Sequence, residues 1–400
     1  MAIFCKKVHF CAGMKPDPTP REIALAINVG IVHLDRVTQG IRAYAARQTE
    51  WRFLVSPETH YLSPIQLEGW QGDGVIALGN TAEDFRVLES LDCPVVNLSG
   101  VVAASPFPRV RPDYRKIGVM AAEHLLERGF RRFGFYGVSD VWYSGEYERG
   151  YSETVAARGC ECRILRVPGT LGRPARWNVG QEELEHWLEQ MAPPVGVMAA
   201  HDPRATMVTR ACERLGLRVP DDVAVIGANN DTVACESSRP PLTSVERNDE
   251  KIGWRAAECL HELIRGSAPA EGDLVVPPGV VRERASTESF AIDHPDLREA
   301  VRMAQAQFRH PIGVDALVVA SGRSRRWLET SFAEQINVSP STFLARLRVR
   351  EAVRLLEEGN VVSLGEVSAR CGFTGTRQLN AHFLREFGIG AKAYAEKLRR

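Results

Sequence analysis

The sequence predicts a two-lobed α/β body with parallel sheets, followed by an all-α domain holding two helix-turn-helix units. Three observations carry this reading. Short apolar runs alternate with amphipathic stretches from residue 21 to about 290, strand character ends after "VVRERAST", and one Gly-turn helix pair then occurs twice. At 400 residues, 44% hydrophobic and 25% charged, the chain has a globular composition and room for two or three domains.

The first residues fit neither part. "KPDPTP" reads as an unstructured spacer, so residues 1–20 are expected to be a loose leader, with Met14 an alternative start. Strand candidates follow in order: "IALAINV", "WRFLVS", "GVIALG", "PVVNLS", "RFGFYG", "GVMAA", "VAVIGA" and "DLVVPPGVV". Helical stretches such as "RVTQGIRAYAARQ", "KIGVMAAEHLLERG" and "RATMVTRACERLG" lie between most of them. Continuously apolar strands separated by helices indicate parallel sheets covered on both faces. Two sheets of about five or six strands each, with a cleft between them, are expected. The polar stretch "RASTESFAIDHPD" is expected to be exposed and to contain the linker. The boundaries are then 21–289 for the body, 290–295 for the linker and 296–400 for the helical domain.

Charge separates the parts. The chain balances 50 Lys and Arg against 50 Asp and Glu, but residues 296–400 hold 17 of the former and 11 of the latter. A basic end on an acidic body is expected where that end alone meets phosphates. The nine cysteines are scattered and read as reduced thiols, neither zinc site nor disulfide framework. No apolar run approaches a membrane span, and the N-terminus lacks a secretory pattern, so a cytoplasmic protein is expected. There is no GxGxxG after the first strand, no P-loop and no HExxH. Adjacent residues such as His201 and Asp202 seldom orient each other as a catalytic triad does. Neither an enzyme, a cofactor nor a metal is expected.

In the helical domain, "VDALVVASGRSRRWLETSF" gives a short apolar helix, a turn at Gly322, Ser324 as the N-cap and a second helix through Phe332. Leu328 and Phe332 share its inward face, leaving Arg325, Arg326, Glu329 and Thr330 outside. "LGEVSARCGF" and "TGTRQLNAHF" repeat the unit around Gly372. There Leu379, Phe383 and Phe387 form the inward stripe, while Thr376, Arg377, Gln378 and Asn380 face out. Arg reads guanine and Asn or Gln reads adenine in a major groove, each through two hydrogen bonds. With Ser324 at the start of the first reader, these residues form the candidate DNA-binding set. "TFLARLRVREAVRLLEEGN" is expected to be the rigid helix between the readers.

Residues 296–400 resemble the AraC-type DNA-binding domain. The resemblance rests on "SGRSRRWLETSF", "LRVREAVRLLEEGN" and "CGFTGTRQLNAHFLREFGI". Ala391 and Ala395 stand where that family usually has Pro and Arg. The body resembles the periplasmic-binding-protein fold of LacI/GalR-type regulators through "KIGVMAAEHLLERGFRRFGFYG", "GVMAAHDPRA" and "VPDDVAVIGANND". The combination implies a homodimeric regulator that binds double-stranded operator DNA and takes a small sugar, xylose or a related one, between its lobes. A non-sugar effector, or a solute-binding protein, are the alternatives.

Ligands in such folds sit at the carboxyl ends of parallel strands. His201, Asp202 and Arg204 follow "GVMAA", and Asn229 follows "VAVIG". By resemblance Asp202 and Asn229 are sugar-contacting positions, the second more often Asp in the family. The "DVWYSGEYERGY" stretch offers Trp142, which reads equally as a packed aromatic or a sugar platform. It also offers Arg149, near Tyr147, where the family often has Arg. Asp35, after the first strand, is a ligand candidate or a helix cap.

Overall fold

The computed structural model describes residues 20–28, 30–48, 50–55, 62–169, 180–268, 272–289, 292, 294–336, 338–357 and 363–398. The expected leader up to residue 19, with Met14, lies outside them. Two compact units divide after Ser289.

The first unit runs β1 (Arg21–Ala26), α1 (Val32–Gln48), β2 (Trp51–Leu54), β3 (Gly74–Ala77), α2 (Ala82–Glu89), β4 (Val95–Asn97), β5 (Val110–Pro112), α3 (Tyr114–Leu126), β6 (Arg132–Val138) and α4 (Trp142–Ala156). It continues β7 (Glu161–Val167), α5 (Gln181–Glu189), β8 (Val195–Ala199), α6 (Asp202–Arg214), β9 (Val223–Ala228), α7 (Thr232–Ser237), β10 (Thr243–Val245), α8 (Asp249–Ile264), β11 (Leu274–Val276) and β12 (Val281–Arg282).

Among the described residues the two larger sheets are a four-stranded one in the order β2-β1-β3-β4 and a six-stranded one in the order β12-β10-β9-β8-β6-β7. The first is smaller than expected. Strand β7 escaped notice because it is an edge strand, and "ECRILRV" is largely exposed. Strands β5 and β10, three residues each, are too short to show a period. The run "DLVVPPGVV" divides at Pro277 and Pro278, which lack the N–H a ladder needs. Its first half pairs with β5 in a two-stranded sheet, and its second half closes the larger sheet antiparallel to β10.

Burial on both faces explains the apolar strands. In the first lobe Ile23, Leu25, Ile76 and Val96 pack against Val37 and Ile41 of α1 and Ile252, Ala256 and Leu260 of α8. The alternate residues Ala24, Ala26, Val75 and Ala77 meet Leu67 and Leu88 on the other side. In the second lobe Val195, Val197, Val223 and Val225 pack under α5 and α6 through Leu184, Leu188, Val208 and Cys212.

The polar linker reading fails at its first half. Ser286 and Thr287 are fully buried. Ser286 Oγ donates to Val225 O at 2.6 Å and accepts from Thr243 N at 2.8 Å, while Thr287 and Thr243 share a hydroxyl contact of 2.8 Å. Polarity there marks a hydrogen-bonded interior, which composition cannot distinguish from a solvated loop. Of the expected linker, residues 290, 291 and 293 lie outside the described residues.

The second unit holds α9 (Pro295–Gln307), α10 (Val314–Ser321), α11 (Arg325–Gln335), α12 (Pro340–Glu357), α13 (Leu364–Arg370), α14 (Thr376–Phe387) and α15 (Ala391–Leu398). Helix α12 serves two cores. Its Phe343 and Leu344 complete one with Leu317, Leu328 and Phe332. Its Val349, Ala352 and Leu355 complete the other with Val367, Leu379 and Phe383.

Midway along α12, buried Arg348 donates to the carbonyls of Phe308, His310 and Ile312 at 2.8–3.0 Å. The same segment meets Gly372, whose φ of +74° is left-handed and where a Cβ would lie 2.3 Å from Phe308 O. Gly372 is therefore required both by conformation and by close approach.

Glu351, one turn beyond Arg348, accepts from Arg354 at 2.8 Å and Arg309 at 3.0 Å. Hydrogen bonding to Arg354, ahead of the opposing effect of burial, lowers its pKa from 4.5 to about 2. A depressed carboxylate stabilises the fold above its unfolded pKa, and that contribution disappears as pH falls through the folded one. Glu351→Gln should therefore cost about 2 kcal/mol at pH 7 and progressively less between pH 4.5 and 2, measured by urea denaturation across that range.

Candidate functional site

The carboxyl ends of β8 and β9 bring most of the expected ligand residues together. After β8, His201 caps α6, its Nδ1 accepting from Arg204 N at 3.4 Å. Arg204 turns back over the ring of Tyr136, 5.0 Å from its centroid, and donates to Pro168 O at 3.2 Å. Burial, then the Arg204 charge, lowers the His201 pKa to about 4. The ring is neutral at pH 7, and with Nδ1 accepting, Nε2 carries the proton.

After β9 the backbone enters the left-handed region twice in succession, at Asn229 with φ of 99° and Asn230 with φ of 48°. Non-glycine residues hold such angles only where their surroundings fix them. Here Asn230 N donates to Ser244 Oγ at 2.9 Å, Arg284 donates to Asn230 Oδ1 at 2.8 Å, and Asp231 N donates to Asp202 Oδ2 at 2.7 Å. The buried Asn229 Oδ1 has no hydrogen-bond partner among the described residues.

Asp202 thus lies behind the loop it was expected to share. It is fully buried, with Oδ1 where a Cβ on Gly227 would be. Burial raises its pKa from 3.8 to about 7. Its position supports the Asn229–Asp231 loop from within the lobe.

Two residues of α1 reach this edge from the first lobe. Arg36 donates to the carbonyls of Asn229 and, at 3.1 Å, of Asn230. It also donates to Asp249 Oδ2 at 2.8 and 3.1 Å through two of its nitrogens. Asp249 starts α8 and also pairs with Arg247 at 3.1 Å. His33, one turn before Arg36, has its pKa pushed well below 6.5, by burial first and then by Arg247, Arg36 and His201.

Asp35, between them, points away and accepts from Gly30 N at 2.9 Å, closing the loop before α1. Arg149 is exposed and pairs with Glu146 at 2.9 Å, while Tyr147 is buried against Tyr114 and Tyr143. Arg149 therefore does not stand in for an arginine at 147. The Trp142 ring is held by Arg109 and Arg111, 4.9 and 5.0 Å from its centroid, and by the edge of Tyr114. Its packed reading accounts for these contacts.

In the second unit Gly322 takes φ of +63° and Ser324 caps α11, accepting from Trp327 N at 3.2 Å. Leu328 and Phe332 are buried, while Arg325, Arg326, Glu329 and Thr330 are exposed. Arg325 pairs with Asp315 and Glu329, each at 3.1 Å, leaving Arg326 without an ion pair among the described residues.

On α14 Leu379 and Phe383 are buried, but Phe387 is 40% exposed and sits at the core edge against Phe383 and Tyr394. Thr376 and Arg377 are exposed. Gln378 accepts from Thr374 N at 2.9 Å, and Asn380 accepts from Ala391 N at 3.1 Å. A proline at 391 could not make the second bond. Gln378 Oε1 also accepts from Thr374 Oγ1 at 3.1 Å, which fills both its lone pairs, whereas Asn380 Oδ1 keeps one.

Residues 122–287 match a periplasmic binding protein-like domain and residues 317–397 a helix-turn-helix domain. The xylose operon regulatory protein of Escherichia coli (strain K12) is 28% identical over 94% of this chain and 96% of its own length. Its counterpart from Haemophilus influenzae is 26% identical over 93% and 97%. A solved structure of a xylose-binding transcription activator superposes with a TM-score of 0.65 and 27% identity, covering 95% of this chain and 99% of that one. The chain is a DNA-binding transcription regulator.

Within this regulator the loops singled out in the sequence lie together at the ends of β8 and β9, and the residues packed against them were not singled out. His33, Arg36, Arg247 and Asp249 were overlooked. The signal was present: His33 and Arg36 stand three apart at a helix start, so they share a face that Asp35 does not. Asp202 offers a test of its placement. A carboxyl raised from 3.8 to about 7 on folding binds a proton in the native state that the unfolded chain releases. Its contribution is present below the lower value and lost as pH rises through the upper. Asp202→Asn should therefore gain stability relative to the parent as pH rises from about 4 to 7, read by denaturation at several pH values.

Proposed function

We propose that the regulator senses a small sugar, xylose or a related one, between the lobes of its body. As a cytoplasmic homodimer it then alters how two DNA-reading domains engage an operator that controls sugar-catabolism genes. The observation that carries this is the meeting of Arg36 from one lobe with the Asn229–Asp231 loop of the other. A ligand lodged there touches both lobes at once, and differential affinity for the closed arrangement is what shifts such an equilibrium. Named sugar-operon regulators as relatives over nearly the full chain support the same reading.

In this account the DNA contacts come from α11 and α14, with Arg326 and Arg377 as the guanidiniums available to read guanine and Ser324, Thr330 and Thr376 available to phosphates. Arg326→Ala and Arg377→Ala should each weaken operator binding by about 1–3 kcal/mol while changing random-sequence binding less. Fluorescence anisotropy on operator and scrambled duplexes measures both. Removing residues 290–400 should abolish operator binding and leave effector binding, measured by calorimetry, intact.

A further inference from the structure

Resting on that reading of the cleft, we propose that the effector is an anionic sugar derivative, held by an oxyanion group among Arg36, Arg204 and Arg247. The argument is one of charge and hydrogen-bond supply. Arg36 and Arg247 meet at Asp249, the one carboxylate paired with any of the three among the described residues, and the charges of Arg204 and Arg247 both act on Tyr143. Asp249 is shared between Arg36 and Arg247, so that pair retains one positive charge. Arg204 has only the carbonyls of Gly137 and Pro168 and the face of Tyr136, none of which neutralises it.

Two further cations would be expected to repel one another here, and the histidines respond accordingly. His33 and His201 are both held in the neutral form, burial being the larger cause and the neighbouring arginines the next. The nearby carboxyls are engaged elsewhere: Asp202 with Asp231 N beside Gly227, Asp231 with Ala234 N at the start of α7, and Glu246 with Arg282.

Arg247 Nε lies 3.1 Å from Asp249 Oδ1 as an ion pair, yet Nε and Oδ1 are both without a hydrogen-bond partner among the described residues. His201 presents Nε2–H. Helices α6 and α8 begin here, at Asp202 and Asp249, and the start of a helix favours negative charge. A neutral sugar presents hydroxyl donors that want carboxylate acceptors. An oxyanion accepts two parallel bonds from a guanidinium and neutralises it. The positive balance of the wall suits the second, with Asn229 Oδ1 and Asp249 Oδ1 left as acceptors for hydroxyls of the same ligand. A carboxylate and a phosphate share this chemistry.

The test is isothermal titration calorimetry on the full-length protein with three matched probes: an aldopentose, its aldonic acid and its 5-phosphate. At least one anion should bind tenfold or more tightly than the neutral parent, and which one does identifies the oxyanion. Arg247→Gln should remove most of that preference and Arg247→Lys should retain part of it, with thermal melting confirming that each variant is folded. Arg204→Gln supplies an independent variant should Arg247→Gln unfold. Neutral sugar binding as tightly as both anions overturns the anionic proposal and leaves the sugar-sensing reading standing. Binding of none of the three overturns both. An anion preference unchanged in Arg247→Gln and Arg204→Gln overturns the assignment of these residues.

Discussion

The Arg36 guanidinium is the contact on which the body's arrangement turns. It grows from the first helix of one lobe, donates to two successive carbonyls at the end of β9 in the other, and shares its charge with the buried carboxylate of Asp249. Carbonyl acceptors of that kind are presented only because Asn229 and Asn230 adopt left-handed backbone. That backbone is costly unless it is over-determined. Asp202, Ser244 and Arg284 supply the determination from within the second lobe. A chain of polar contacts therefore runs from the interior of one lobe to the first helix of the other, through the place where a ligand would lie.

The DNA-reading domain depends on a different device. Its two helix-turn-helix units have separate cores, and α12 belongs to both. Arg348 and Gly372 tie the α9–α10 connection to the middle of that helix and to the second turn. Rigidity between the readers thus comes from one continuous helix and one packed turn. The readers themselves are unequal. The first keeps Arg326 without an ion pair among the described residues beside the paired Arg325, whereas the second gives the oxygens of Gln378 and Asn380 to internal capping.

Much of this was legible in the sequence, for identifiable reasons. Strands buried on both faces, such as "GVMAA" and "VAVIGA", announce themselves by continuous apolarity, and Gly322 with Ser324 marks a turn by chemistry that few other residues share. What escaped notice was written in less specific terms. The edge strand "ECRILRV" looks like a loop because one side of it meets water. Ser286 and Thr287 look solvated because a buried hydroxyl network has the composition of a linker. At the cleft, the sequence led to Asp202 and Asp35 because carboxylates suit sugars. The fold instead uses Asp202 to brace a loop and Asp35 to close one, and sets Arg36 against the carbonyls of Asn229 and Asn230. Direction at a helix start is set by a rotation of about 100° per residue, so neighbours such as Asp35 and Arg36 part company.

The most direct measurement of the central contact is hydrogen–deuterium exchange of the full-length protein with and without Arg36→Ala. If Arg36 fixes the left-handed loop across the lobes, the amides of Asn229–Asp231 and the first turn of α1 should exchange faster in the variant, while β8 and the α5–α6 core stay protected. Unchanged exchange at Asn229–Asp231 would contradict the account, because it would show that the second lobe holds that loop without help from the first.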